Sequence, residues 1–107
     1  MVQCKALLQK ISWECVRGNA DRMVSEVVYD SRKITKDCLF ICICGYVSDG
    51  HDYAKEAAEK GAAVLVVQKD VDIPDECDVT IIKVEDTRYA MAFIAEEYFG
   101  NPGDKLK

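Results

Sequence analysis

Short apolar segments alternate with polar ones along this chain, and their lengths and spacing predict a mixture of strands and helices. Runs rich in β-branched and aliphatic residues predict strands at Trp13–Val16, Val24–Tyr29, Leu39–Cys44, Ala63–Val67 and Val79–Val84. Apolar residues about four positions apart predict helices at Lys5–Ile11, at Tyr53–Lys60, and from Asp86 or Thr87 to Phe99. The chain is therefore expected to adopt an α/β fold.

The middle of the chain predicts how two of these strands are connected. A helix separates Leu39–Cys44 from Ala63–Val67, and this order is typical of a βαβ unit with parallel strands and a right-handed crossover. We expect Asp52 to cap the start of the helix and Gly61 to end it in a left-handed conformation. Because Leu39–Cys44 shows no polar alternation, it is predicted to lie inside a sheet that is covered on both faces.

Size and charge exclude several classes of function. The chain has 107 residues, which is the size of one domain, and its net charge is -5. Nucleic-acid binding needs a basic face, so a nucleic-acid partner is not expected. No apolar stretch approaches the roughly 20 residues that span a membrane, so no membrane partner is expected either.

The six cysteines are predicted to be reduced thiols. Residues 1–5 lack the apolar segment of a secretory signal, so we expect a cytoplasmic protein without a disulfide framework. Cys38, Cys42 and Cys44 lack the paired spacing and the nearby histidine of zinc sites. We predict that they pack as small hydrophobic residues, and we predict no metal site.

Polar residues follow two of the predicted strands at the point where each strand ends. Tyr29-Asp30-Ser31-Arg32-Lys33 follows the first, and the loop Gly45–Asp52 follows the second. Open α/β sheets bind ligands at such carboxyl ends, and a serine hydroxyl, an arginine and loop N–H groups are suitable donors for a diphosphate. Tyr29 and Tyr46 could flank a planar base. The residues alone equally allow two ordinary turns.

The sequence predicts no catalytic residue. It contains no GxxxxGK[ST], GxGxxG, GxSxG or HExxH motif. His51 is the only histidine, and a role in the loop or at the helix start is favoured over a general base. Asp30 is predicted to form a turn after its strand by a side-chain hydrogen bond to the backbone, and turn formation also explains Asp49 and Asp52 more simply than acid–base chemistry does.

Several blocks of the sequence, in this order, resemble the N-terminal domain of the Mur ligases. These blocks are Tyr29–Lys33, Leu39-Phe40, Gly45 with Asp49–Tyr53, Ala57 with Gly61-Ala62, Val84–Arg88, and Tyr98–Pro102. The resemblance implies a three-layer α/β/α domain with a mixed, mostly parallel central sheet of about five strands. One departure lies at Asp37-Cys38, where the family usually has Gly-Asp, so the geometry of that turn is open.

The resemblance also implies a substrate and the residues that bind it. In this family the N-terminal domain recognises the UDP end of a UDP-MurNAc-peptide. The central domain binds ATP, and a C-terminal domain brings the incoming amino acid. The implied contacts are Tyr29, Ser31, Tyr46, Val47 and Ser48. Arg32 is a less favoured candidate, because a salt bridge to Asp30 or Asp49 would equally account for the presence of an arginine there.

The same resemblance implies that the chain is one domain of a longer ligase and that other domains carry out catalysis. Residues 1–103 are expected to form the UDP-MurNAc-binding domain, and residues 104–107 to begin a linker to an ATP-binding domain. The fragment alone is expected to be inactive, while the full-length enzyme would use ATP and Mg²⁺. The favoured substrate is UDP-MurNAc-L-Ala-D-Glu, which receives the third residue of the stem peptide. The alternatives are the branch that adds D-Ala-D-Ala, and a non-catalytic interaction module.

Overall fold

A computed structural model describes residues 2–43 and 50–99, and within them the strands form two sheets. The strands are β1 (Val2–Gln3), β2 (Glu14–Arg17), β3 (Met23–Val24), β4 (Val27–Val28), β5 (Leu39–Ile41), β6 (Val64–Val67) and β7 (Thr80–Lys83). The helices are α1 (Cys4–Leu7), α2 (Ala54–Glu59) and α3 (Thr87–Phe99), with two short 3-10 helices at Ser31–Lys33 and Gly50–Tyr53.

The main sheet has five strands in the order β2-β7-β6-β5-β4. Strands β4 to β7 run parallel to one another, while β2 pairs antiparallel with β7. In the centre, Leu39 lies opposite Val27 on one side and Val64 on the other. The predicted mixed, mostly parallel sheet is therefore confirmed, as is the parallel pairing within the predicted βαβ unit.

Two apolar cores, one on each face of this sheet, make the domain three-layered. On one face Leu39 and Ile41 pack with residues of α1 and α3, including Leu7 and Ile94. On the other face Phe40 packs with the alanines of α2 and with Ile73 of the loop between β6 and β7. The small side chains Ala54, Ala57 and Ala58 are buried and let α2 lie close to the sheet. The predicted layering is confirmed.

The cysteines contribute to these cores as thiols. Cys4, Cys38 and Cys42 are fully buried, and no disulfide joins the cysteines of the described residues. Burial raises the pKa of the Cys4 thiol to about 12 and also raises the pKa of Cys38. Cys38 and Cys42 therefore act as small apolar side chains, as predicted, while Cys44 lies outside the described residues.

The prediction of one strand at Val24–Tyr29 is wrong. Val24 pairs with Val2 in the small β1–β3 sheet, whereas Val27 pairs with Leu39 in the main sheet. The chain changes sheets at Ser25, whose N–H donates to the Asp37 carbonyl at 2.7 Å. Hydrogen bonds to a distant turn thus break a segment whose composition is uniformly suited to a strand.

The helix termini differ from the predicted ones in two places. α1 ends at Leu7, earlier than the predicted Ile11. Asp52 does not cap α2, because Gly50–Tyr53 winds as a 3-10 helix and leaves Tyr53 in the cap position without a side-chain hydrogen bond. Gly61 ends the segment with φ 102°, as predicted.

The predicted start of α3 is confirmed. The Asp86 carboxylate accepts the N–H groups of Arg88 at 2.9 Å and Tyr89 at 3.4 Å, which satisfies donors that the first helical turn leaves open. Along the helix Ala90 and Ile94 are buried, at the predicted spacing.

Asp37 has φ 65°, in the left-handed region that favours glycine. Its backbone bonds do not depend on its side chain, because its N–H donates to Gly61 O and its carbonyl accepts Ser25 N–H. Asp37→Gly is therefore expected to stabilise the domain by about 0.5 kcal/mol, since relief of backbone strain exceeds the added freedom of the unfolded chain. Chemical denaturation measures this change. A loss of stability would contradict the assignment of strain to this residue.

Candidate functional site

The candidate site lies where β4 and β5 end side by side. Val28, the last residue of β4, lies opposite Phe40, and the two strands are parallel. Tyr29 and the turn that follows it therefore lie at the same end of the sheet, the carboxyl end of its parallel strands, as the residues that directly follow β5. This confirms the predicted neighbouring strand ends.

A short aspartate-capped turn follows β4. The Asp30 Oδ1 accepts the Arg32 N–H at 2.9 Å, and the Lys33 N–H donates to the Asp30 carbonyl at 2.9 Å. These bonds wind Ser31–Lys33 into a 3-10 helix. Ser31 is consequently the first residue of this turn, three residues after Val28, where β4 ends. The interpretation of Asp30 as a turn former is confirmed.

The Arg32 guanidinium is paired with the same carboxylate. Its Nε donates to Asp30 Oδ1 at 3.2 Å and its Nη2 to Oδ2 at 3.0 Å. Hydrogen bonding to Arg32 lowers the pKa of Asp30, and the reciprocal bond raises the pKa of Arg32. The Asp30 side chain is 28% exposed and the Arg32 side chain 87% exposed, so the pair presents its cationic member to solvent.

The structure brings together three of the six residues that the sequence proposed as substrate contacts. Tyr29, which is 62% exposed, immediately precedes the Asp30-capped turn that holds the backbones of Ser31 and Arg32. The other three proposed contacts, Tyr46, Val47 and Ser48, lie outside the described residues, and so does the side chain of Ser31. Their roles therefore remain predictions.

The same carboxyl end of the sheet also has polar contacts that the sequence did not predict. Gln68 follows β6, and its Oε1 accepts the Thr87 N–H at 3.0 Å and the Thr87 hydroxyl at 2.8 Å. Thr87 is fully buried, so these bonds fasten the start of α3 to the sheet. Nothing in the local sequence indicates this pairing, because the two residues are 19 positions apart.

A cleft of about 380 Å³ also opens at the carboxyl end of the sheet, but on the side of β7 rather than of β4. Ser12, Glu85, Asp86 and Tyr89 are among the residues that line it. Its two carboxylates disfavour a diphosphate, whereas in the turn after β4 the two cations Arg32 and Lys33 outnumber the one carboxylate, Asp30. Electrostatics therefore favour the β4–β5 end for an anionic ligand.

Neither a metal centre nor a membrane span is found in the part of the chain that the structure describes. Within residues 2–43 and 50–99, no group of three or more His, Cys, Asp or Glu side chains could hold a metal ion. No helix of these residues is long and apolar enough to cross a bilayer.

Comparison with protein families and curated proteins gives consistent matches. A family model described as "Mur ligase family, catalytic domain" matches residues 23–99. The chain is 46% identical over 103 residues to the UDP-N-acetylmuramoyl-L-alanyl-D-glutamate–2,6-diaminopimelate ligase of Clostridium perfringens, covering 96% of this chain and 21% of that protein. It is 49% identical over 91 residues to the ligase of the same name from Clostridioides difficile, covering 85% and 18%. The chain thus spans about a fifth of these relatives.

Solved structures match the fold. MurF from Acinetobacter baumannii superposes with a TM-score of 0.66 at 20% identity, covering 90% of this chain and 20% of that one. A MurF ligase from Thermotoga maritima in complex with ADP superposes with a TM-score of 0.60 at 27% identity, covering 76% and 18%.

Proposed function

Because this chain belongs to the Mur ligase family, we propose that it is the substrate-recognition domain of an ATP-dependent ligase acting on UDP-MurNAc-L-Ala-D-Glu. The ligase would add the third residue of the stem peptide in peptidoglycan synthesis, in the cytoplasm. The observation that carries this proposal is the 46–49% identity to two relatives named for that reaction. Both names give the added residue as 2,6-diaminopimelate, and we propose the same acceptor.

In this proposal the β4–β5 end of the sheet binds the UDP end of the substrate. Tyr29 provides an exposed aromatic surface for the base, and the Ser31 hydroxyl donates to the polar part of the nucleotide. Tyr46, Val47 and Ser48 close around it from the loop after β5. The pairing of β4 and β5 supports this arrangement, because two adjacent parallel strands direct the segments that follow them to the same end of the sheet.

The chemical step is proposed to take place elsewhere in the protein. ATP would activate the substrate carboxylate as an acyl phosphate, and Mg²⁺ would accompany it. The described residues do not fit a metal ion, and the sequence has no glycine-rich triphosphate loop. We therefore assign no catalytic role to this domain, and we expect it to be inactive alone, because it would only bind and orient the substrate.

The alternative branch, which adds D-Ala-D-Ala, has weaker support. The two structural matches described above are both MurF enzymes. The match at 20% identity establishes a shared fold and nothing more, and the match at 27% identity is a modest sequence likeness. The diaminopimelate-ligase relatives are far more similar in sequence. A non-catalytic interaction module on the same scaffold is the remaining alternative.

An NMR titration with UDP-MurNAc-L-Ala-D-Glu tests the proposal. We expect shifts at the amides of Ser31 and residues 46–48, and about a tenfold weaker affinity for Ser31→Ala, which corresponds to one hydrogen bond to a ligand. The melting temperature should change little. Ser12→Ala is the matched control, because Ser12 is an exposed serine in the cleft beside β7, away from the β4–β5 end.

Two results would contradict this proposal. Absence of shifts at millimolar ligand would favour the interaction module. A large fall in the melting temperature of Ser31→Ala would show that this serine serves the turn rather than the ligand.

A further inference from the structure

Asp30 makes two distinct sets of contacts with Arg32, and only one is needed to build the turn. The Oδ1 bond to the Arg32 N–H, at 2.9 Å, caps the 3-10 helix. The bonds from Nε at 3.2 Å and Nη2 at 3.0 Å instead hold the guanidinium. An aspartate or asparagine in this position would cap the turn equally well, so the second set calls for a separate explanation.

The pairing determines which edge of the guanidinium faces outward. A guanidinium carries five N–H donors in a planar fork. Asp30 engages the side edge formed by Nε and one N–H of Nη2, so the end edge, formed by Nη1 and the second N–H of Nη2, is the outer edge and is not used by the carboxylate. With 87% of the Arg32 side chain exposed, this outer edge is accessible beside the end of β4. Two parallel N–H donors at such an edge match two phosphate oxygens.

We propose that Asp30 is a positioning residue that holds the Arg32 fork in place to bind the diphosphate of the UDP ligand. The inference rests on the proposed function, because it names a role within that same site. An arginine that is already oriented loses less rotational freedom when it binds an anion. Hydrogen bonding to Arg32 keeps the pKa of Asp30 low, so the carboxylate stays ionised at neutral pH.

The negative charge of Asp30 also opposes a phosphate, and the geometry indicates which effect dominates. The carboxylate lies on the inner edge of the guanidinium and is 28% exposed, whereas the phosphate would lie on the outer edge in water. Solvent screening weakens the carboxylate–phosphate repulsion at this longer distance. The carboxylate's direct contact with Arg32 is much shorter, so orientation is expected to outweigh repulsion.

A double-mutant cycle tests this inference with wild type, Asp30→Asn, Arg32→Ala and the double variant. Calorimetry would measure affinity for UDP-MurNAc-L-Ala-D-Glu and for UDP. Asparagine keeps an oxygen for the Arg32 N–H but places an amide donor opposite Nη2. We expect Asp30→Asn and Arg32→Ala each to weaken binding about three- to tenfold. The double variant should bind no more weakly than Arg32→Ala, because Asp30 acts only through Arg32.

Each outcome of the cycle is decisive. Additive losses would overturn the inference, since Asp30 would then contact the ligand or shape the turn independently, and tighter binding by Asp30→Asn would overturn it too. If Asp30→Asn lowers the melting temperature, Arg32→Lys replaces it, because lysine keeps the charge without the fork. Wild-type affinity in Arg32→Lys would overturn the inference. Failure of wild type to bind either nucleotide would instead reject the proposed function itself.

Discussion

Gly18→Ala is expected to lower the free energy of unfolding by about 2–5 kcal/mol, from left-handed strain of about 1–2 kcal/mol and overpacking of about 1–3 kcal/mol. Gly18 has φ 80°, and a Cβ added there would lie 2.5 Å from Thr80 Oγ1 and 2.9 Å from Thr80 Cα. The second contact is with the backbone of β7, so rotating a side chain cannot relieve it. Urea denaturation at a fixed temperature measures the loss.

Gly61→Ala is the matched control for this prediction. Gly61 also has a positive φ, 102°, but the atom nearest to an added Cβ would be Lys36 Cγ at 3.4 Å, an ordinary van der Waals distance. Its cost should therefore be backbone strain alone, about 1–2 kcal/mol, as for the strain part at Gly18. Equal losses at the two glycines would show that the close approach of Gly18 to Thr80 contributes nothing to stability.

Arg17→Met is expected to destabilise the domain by about 2–4 kcal/mol, because hydrogen bonds from charged donors contribute about 1.5–3 kcal/mol each and water replaces part of the loss. The guanidinium donates to three carbonyls of the loop between β6 and β7: Ile73 at 3.0 Å, Pro74 at 2.9 Å and Cys77 at 2.6 Å. This loop covers part of one core through Ile73. Denaturation measures the loss, and faster amide exchange across residues 71–78 would locate it.

Two further variants test whether the fork of Arg17 is responsible. Arg17→Lys keeps the charge but replaces the planar fork, whose Nη1 and Nη2 donate to different carbonyls, by one compact ammonium, so it should recover less than half of the lost stability. Within the part of the chain that the structure describes, the Arg22 guanidinium donates hydrogen bonds to one residue, Asp78, so Arg22→Met should cost about 0.5–1.5 kcal/mol. Full recovery by lysine would show that charge alone stabilises the loop.

Much of the fold could be predicted because its central elements are determined by local pattern. The predicted strands Leu39–Cys44 and Ala63–Val67 are uniformly apolar, and within them Leu39–Ile41 and Val64–Val67 form the buried parallel strands β5 and β6. Asp86 caps α3 where the sequence placed a cap. Local composition could not show that Ser25 bonds to the Asp37 turn and splits one apolar run between two sheets.

The candidate site was predictable only where a turn is local. Asp30-Ser31-Arg32 contains within three residues the carboxylate that caps the turn and the N–H that it accepts. The bidentate pairing of Arg32 with Asp30 was one of two pairings that the sequence left open. The contacts of Arg17 and of Gln68 join segments far apart in the chain, so no spacing rule could have found them.

The position of β2 has a consequence for biosynthesis. Among the described residues, its only strand partner is β7. Glu14 of β2 therefore cannot pair until Lys83 of β7 has been synthesised. At about 5–20 residues per second on the ribosome, that interval lasts several seconds. In the last part of that interval, about one to three seconds between Val67 and Thr80, β6 has no partner on its β7 side, although Val64–Val67 is buried throughout in the finished domain. Nascent chains halted before residue 80 should therefore recruit chaperones or aggregate more readily than chains released after it.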